Sequence, residues 1–140
     1  MSGAKGLVLD YRILLEAVLP GLVLPLLVTY ESKVDFRTPD ISFQTVRRSL
    51  AQTLERRGVD PSEAFAALSR LERIVEPIDA ELYETFGPPA RARVAGADSM
   101  QWPVVAVALL FDSPIWTHDE DFFGAGIATW KTDKVELYLQ

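Results

Sequence analysis

The sequence predicts an α/β fold in which a parallel sheet carries helices on both faces. Two observations predict it. Short apolar runs alternate along the chain with longer segments of helical period, the order that a parallel sheet with crossover helices requires. Two of those runs, residues 6–10 and 115–117, lead directly into acids, and in open α/β sheets chemistry gathers at the carboxyl ends of strands. With 140 residues, 49% of them hydrophobic, one domain spanning residues 1–140 is the expectation.

The first strand is read in Gly6-Leu7-Val8-Leu9-Asp10. A helix follows over residues 11–19, with Ile13, Leu14, Ala17 and Val18 on one face. A second helical piece runs from Pro20 to about Tyr30, and Pro25 is expected to kink it. Residues 34–38 alternate and read as a strand. Thr38 then suits the N-cap and Pro39 the first position of a helix reaching Arg57, with Gly58 as its C-cap. Asp60 and Glu63 form a capping-box pattern ahead of a helix expected to turn Phe65, Leu68 and Leu71 inward. Residues 74–78 make an edge strand that tolerates Pro77.

Residues 80–86 are helical and break at Gly87-Pro88-Pro89, and a helix resumes over 89–95. The apolar run from Val104 to Phe111 is a buried helix stopped at Asp112-Ser113-Pro114. Residues 115–117 and 127–130 are the last two strands, and Thr132 caps a terminal helix. Trp102, Trp116 and Trp130 read as core, as large apolar side chains usually are.

Bulk composition narrows the function. A net charge of −6 argues against a passive nucleic-acid coat, though not against an acidic nuclease whose carboxylates bind metal. The chain has no cysteine, which removes disulfides, zinc thiolates and a thiol nucleophile. No secretory signal is legible, and the most apolar stretch, residues 18–28, is shorter than the roughly 20 residues of a membrane span and is interrupted by Pro20, Gly21 and Pro25. A cytoplasmic protein without a membrane partner is expected.

The chain resembles the PIN-domain family. The resemblance rests on L-V-L-D at 7–10, T-P-D-I-S-F-Q at 38–44, W-P-V-V-A-V-A-L-L at 102–110 and P-I-W-T-H-D-E-D-F-F-G-A-G-I-A-T-W at 114–130. The segment from Ala128 to Leu139 is similar to the ending of stand-alone bacterial PIN proteins. The resemblance implies a three-layer α/β/α sandwich around a five-stranded parallel sheet of order 3-2-1-4-5. It also implies carboxylates that hold Mg²⁺ or Mn²⁺ and cut RNA, often in a toxin paired with an antitoxin, as in the virulence-associated group.

Carried over residue by residue, the family's first acid falls on Asp10 and its last acid pair on Asp119 and Asp121. Its helical acid falls on Gln44, its acid before W-P on Gln101, and its small polar residue after the first acid on Arg12. Glutamine keeps an acceptor oxygen and loses the charge, while Arg12 adds a permanent cation that is expected to bridge Asp10 and Asp119. Asp98 is a possible replacement ligand. These departures predict a metal site that is neutralised and a nuclease that is weakened or silent; the alternative is an active Mg²⁺- or Mn²⁺-dependent endoribonuclease using Asp10, Asp119 and Asp121.

Plainer readings stand beside these. Asp10 suits the cap of the next helix, and Asp119 and Asp121 suit the first turn of another. His118, the lone histidine, reads as a satisfied loop residue rather than a base. Arginines 47, 48, 56, 57, 91 and 93 read as a solvated face, or as scattered phosphate contacts. Residues 21–28 hold too many leucines and valines for one face of a solvated helix, which predicts an interface, with a homodimer first and another protein partner second.

Overall fold

The structure, a computed structural model, describes residues 5–94 and 101–140. Five parallel strands, β1 (Lys5–Leu9), β2 (Val34–Pro39), β3 (Val75–Ile78), β4 (Ile115–Trp116) and β5 (Thr129–Trp130), form one sheet in the order β3-β2-β1-β4-β5. This is the expected order. Leu7 lies opposite Phe36, Leu9 opposite Trp116, and Trp116 opposite Trp130.

Successive strand side chains point to opposite faces, and this alternation divides the core in two. Leu7, Leu9, Phe36, Val75 and Trp116 pack under α1 (Tyr11–Val18), α2 (Val23–Tyr30), α3 (Asp40–Arg57), α4 (Pro61–Ile74) and the terminal α8 (Val135–Leu139). Val8 and Ile115 face the other way, against α6 (Gly87–Arg93), α7 (Gln101–Phe111) and Tyr83 at the end of α5 (Ala80–Tyr83). α7 is buried from Pro103 to Ala108, as its unbroken apolar run requires.

Several local expectations are corrected. Pro25 does not kink a helix: it lies in the first turn of α2, and the break falls earlier, at residues 19–22, where α1 and α2 bend by 97°. No single helix among the described residues is long and apolar enough to cross a membrane. Thr38 caps nothing, because it is still in β2 and its hydroxyl donates to the Leu9 carbonyl at 2.7 Å; Pro39 is the N-cap of α3. Asp60 caps α4 as expected, but through Ser62 N–H and Oγ at 3.0 and 2.9 Å rather than the residue three places on. Phe65 is 51% exposed, so only Leu68 and Leu71 of the expected trio are inward.

Gly87, Pro88 and Pro89 do not interrupt the chain's helical path. They open α6 directly after a single 3₁₀ turn at Glu84–Phe86, since proline suits a first turn. Thr132 does not cap α8, whose N-cap is Lys134; the threonine hydroxyl accepts from Trp116 Nε1 at 3.0 Å. Trp116 is fully buried, whereas Trp102 and Trp130 are half-buried. Gly58 ends α3 as expected, at φ 63 with its N–H on the Leu54 carbonyl.

Candidate active site

The parallel sheet brings the ends of β1 and β4 together, and with them the acids that follow each strand. Asp10 N–H donates to the Trp116 carbonyl at 3.4 Å, so Asp10 continues the strand pairing by one residue. Its side chain is 4% exposed. One carboxylate oxygen accepts from Ile13 N–H at 3.0 Å, which caps α1, and the other accepts from the Thr117 hydroxyl. Burial pushes the Asp10 pKa up; the hydrogen bonds from Thr117, Ile13 and Arg12 N–H pull it down, and the charge of Asp119 adds to the rise.

Thr117 was not singled out from the sequence, yet it joins the two acids. Fully buried, it donates to Asp10 and accepts from Asp119 N–H at 2.9 Å. The signal was present as a polar β-branched residue wedged between a buried strand and an acid run. Asp119 in turn caps the 3₁₀ turn Glu120–Phe122, accepting from Asp121 N–H at 2.9 Å. Asp10 is therefore the helix cap expected of it, while Asp119, expected in a first turn, is the N-cap and Asp121 lies in the turn itself.

Gln101, the first residue of α7, closes the group. Its Nε2 donates to Asp119 at 3.0 Å and to Asp121 at 2.9 Å. The orientation is forced, because the flipped amide would turn its carbonyl oxygen onto two carboxylates. Oε1 is buried and has no hydrogen-bond partner among the described residues. With 4% of its surface exposed, Gln101 is not a surface glutamine. Hydrogen bonds to charged acceptors are worth about 1.5–3 kcal/mol each, and a buried unpaired acceptor costs about 1–3 kcal/mol, so two such bonds outweigh one orphan.

The other expected members stay outside. Arg12 does not bridge Asp10 and Asp119: its Nε donates to the Tyr11 hydroxyl at 3.2 Å, and the guanidinium lies 5.7 Å from the Tyr11 ring centroid. The nearer hydrogen-bond acceptor wins over the more distant charges. Its pKa is raised first by that tyrosine and only last by Asp119 and Asp10, so the acids reach Arg12 through their field. Gln44 is exposed on α3 and makes no hydrogen bond to the cluster. Asp98 lies outside the described residues.

His118 is exposed, its Nε2 2.8 Å from Thr132 Oγ1, in keeping with a satisfied loop residue. Of those six arginines, Arg47 pairs with Glu72, Arg91 lies 3.9 Å over the Trp102 ring, and Arg93 donates to the Ala125 carbonyl at 2.9 Å.

A family model for the PIN domain matches residues 8–140. The chain belongs to the PIN-domain family. Among solved structures, the fold is similar to VapBC2 from Rickettsia felis bound to a DNA fragment from its promoter, at a TM-score of 0.66 and 10% identity over 91% of this chain and 98% of that one. It is also similar to FitAcB from Neisseria gonorrhoeae, at 0.55 and 19% identity over 89% and 96%. At these identities the likeness is one of fold. No curated protein matches the chain.

PIN domains generally depend on a divalent metal, and this site does not fit one as it stands. Mg²⁺ and Mn²⁺ need oxygen lone pairs converging from several directions. Here Asp10 is tied to Ile13 N–H and Thr117, and Asp119 and Asp121 are linked through the Gln101 amide, so the carboxylates are held by donors rather than converging on one point. Among the described residues no group of three His, Cys, Asp or Glu side chains is placed to hold a metal ion.

Proposed function

We propose that this is a toxin-like PIN-domain protein, of the kind that cuts RNA with a divalent metal, whose own nuclease activity is weak or lost. The observation that carries the reading is the Gln101 amide, donating from one nitrogen to both Asp119 and Asp121. A neutral donor group takes the role of a cation between these carboxylates, and the acid count of the site falls with it. The experiment is calorimetric titration with Mn²⁺ beside cleavage of a single-stranded RNA. The unaltered protein is expected to bind Mn²⁺ poorly and to cut slowly, and Gln101→Asp to gain both by at least tenfold. Ready cleavage by the unaltered protein, abolished in Asp119→Asn, would establish the alternative of an active endoribonuclease using Asp10, Asp119 and Asp121.

A protein partner belongs to the same reading. α1, α2 and α4 enclose a groove of about 290 Å³ lined by Leu19, Pro20, Leu24, Pro25 and Val59, and Leu22 beside it is 73% exposed. Apolar surface of this kind fits a second copy of the chain, the first choice here, or an antitoxin. The proposed setting is the cytoplasm.

A further inference from the structure

A cavity of about 530 Å³ lies at the amino ends of β4 and β5, at the opposite end of the sheet from the acids. That volume suits a small organic molecule, whose sites run from roughly 300 to 1,000 Å³. Leu109, Ile127, Trp130 and Tyr138 give it apolar and aromatic walls. Ala108 and Ser113 in its lining are buried, whereas Arg93 and Asp112 are exposed, so both charges stand at the mouth.

The backbone fixes each charge in place. A Cβ at Gly126 would lie 2.5 Å from Arg93 Nη1, so a glycine is needed there for the guanidinium to pass and reach the Ala125 carbonyl. A guanidinium has five N–H groups, and no other hydrogen bond or ion pair of Arg93 is found among the described residues. Asp112 is the one non-glycine residue at positive φ among the described residues, at 49. It ends α7, where its own N–H and that of Ser113 bond the Leu109 and Ala108 carbonyls. Its carboxylate has no partner among the described residues, and Trp130 Nε1 is buried without one.

Arg93 and the Trp130 indole are donors only, so the cavity is short of acceptors. A plain anion would supply them but would also meet Asp112 and the negative end of the α7 dipole. A plain cation would meet Arg93. We infer that the cavity binds a small zwitterion with an apolar side chain, of the chemical class of a free apolar α-amino acid. Its carboxylate lies on Arg93, its ammonium on Asp112, and its side chain against the aromatic and aliphatic walls. No residue of the acid cluster lines this cavity, so the inference and the nuclease reading stand or fall separately.

The test is titration of the protein, followed in its amide and indole N–H NMR spectrum, with phenylalanine, phenylpropionate and phenethylamine. The last two lack the ammonium and the carboxylate respectively. Phenylalanine is expected to bind with a Kd below about 1 mM and to move the Gly126 and Trp130 indole resonances, and each of the others to bind about tenfold more weakly. Arg93→Gln should weaken phenylalanine about tenfold and bind phenethylamine no worse. Asp112→Asn, which keeps a residue tolerant of the left-handed backbone, should weaken phenylalanine likewise and bind phenylpropionate no worse. The comparison of the three ligands needs no variant, so it decides the matter even if Arg93→Gln disturbs the Ala125 contact. The inference is overturned if phenylalanine moves no resonance around the cavity, if phenylpropionate or phenethylamine binds as tightly as phenylalanine, or if neither charge variant changes the affinity for phenylalanine.

Discussion

A carboxamide offers two protons on one nitrogen, and Gln101 directs both at a pair of carboxylates that would otherwise repel each other. Replacing it with leucine keeps the volume and removes the donor. Gln101→Leu is expected to lower stability by about 1 kcal/mol in urea titration, less than the two bonds suggest because Asp121 is exposed and water takes over part of the role. Asp10 presents the opposite balance. Its pKa is raised by burial, so the folded protein binds a proton there more readily than the unfolded chain. Its stabilising contribution is thus complete below the carboxylate's ordinary pKa and is lost as pH rises through the raised folded value. Asp10→Asn stays neutral throughout and still accepts from Ile13 N–H, but its Nδ2 cannot accept from the Thr117 hydroxyl. Its melting temperature relative to the unaltered protein should therefore be about 3 °C more favourable near pH 7 than at pH 4, where only the lost Thr117 bond is felt. An equal shift at both pH values would show that the buried carboxylate costs nothing when ionised.

Elements were legible where one strong local signal set them, and less so where a hydroxyl had two partners within reach. Gly58 at the end of α3 and Asp60 at the start of α4 were read correctly, because a left-handed C-cap and an acidic N-cap before proline need nothing from the rest of the fold. Thr38 and Thr132 looked like equally good caps, but each found a partner contributed by a neighbouring strand, Leu9 and Trp116 respectively. Nothing local announces such a partner. Arg12 follows the same logic at the site: sequence gave its charge, while only three dimensions show that Tyr11 holds it aside from Asp10. Phe65 obeyed the helical period, yet α4 faces the core with Ala64, Leu68 and Leu71, one step around the helix. The cap that was read correctly also makes a clean test. Asp60→Ala removes the acceptor for Ser62 N–H and should cost about 1 kcal/mol in thermal or chemical denaturation, with the Gln101 cluster unchanged.

At the scale of the whole molecule, the sheet order puts the acids, Thr117 and the N-terminus of α7 at one edge, and places α1 and α2 where they cannot fully cover their own apolar residues. Val23 and Leu27 are buried under the first core, but Leu22 projects beside the groove against α4. The 97° bend between α1 and α2 creates that groove, so the bend that replaced an expected proline kink is also what makes room for a partner. If a second copy fills it, the contact is two-fold and self-complementary, and a charge introduced at Leu22 is introduced twice across one interface. Leu22→Glu should therefore convert a concentration-dependent dimer into a monomer in size-exclusion chromatography with light scattering. Its melting temperature as a monomer should change little, because this side chain is 73% exposed within the single chain. A protein that is already monomeric at every concentration would rule out the second copy, and would leave the groove to a different chain.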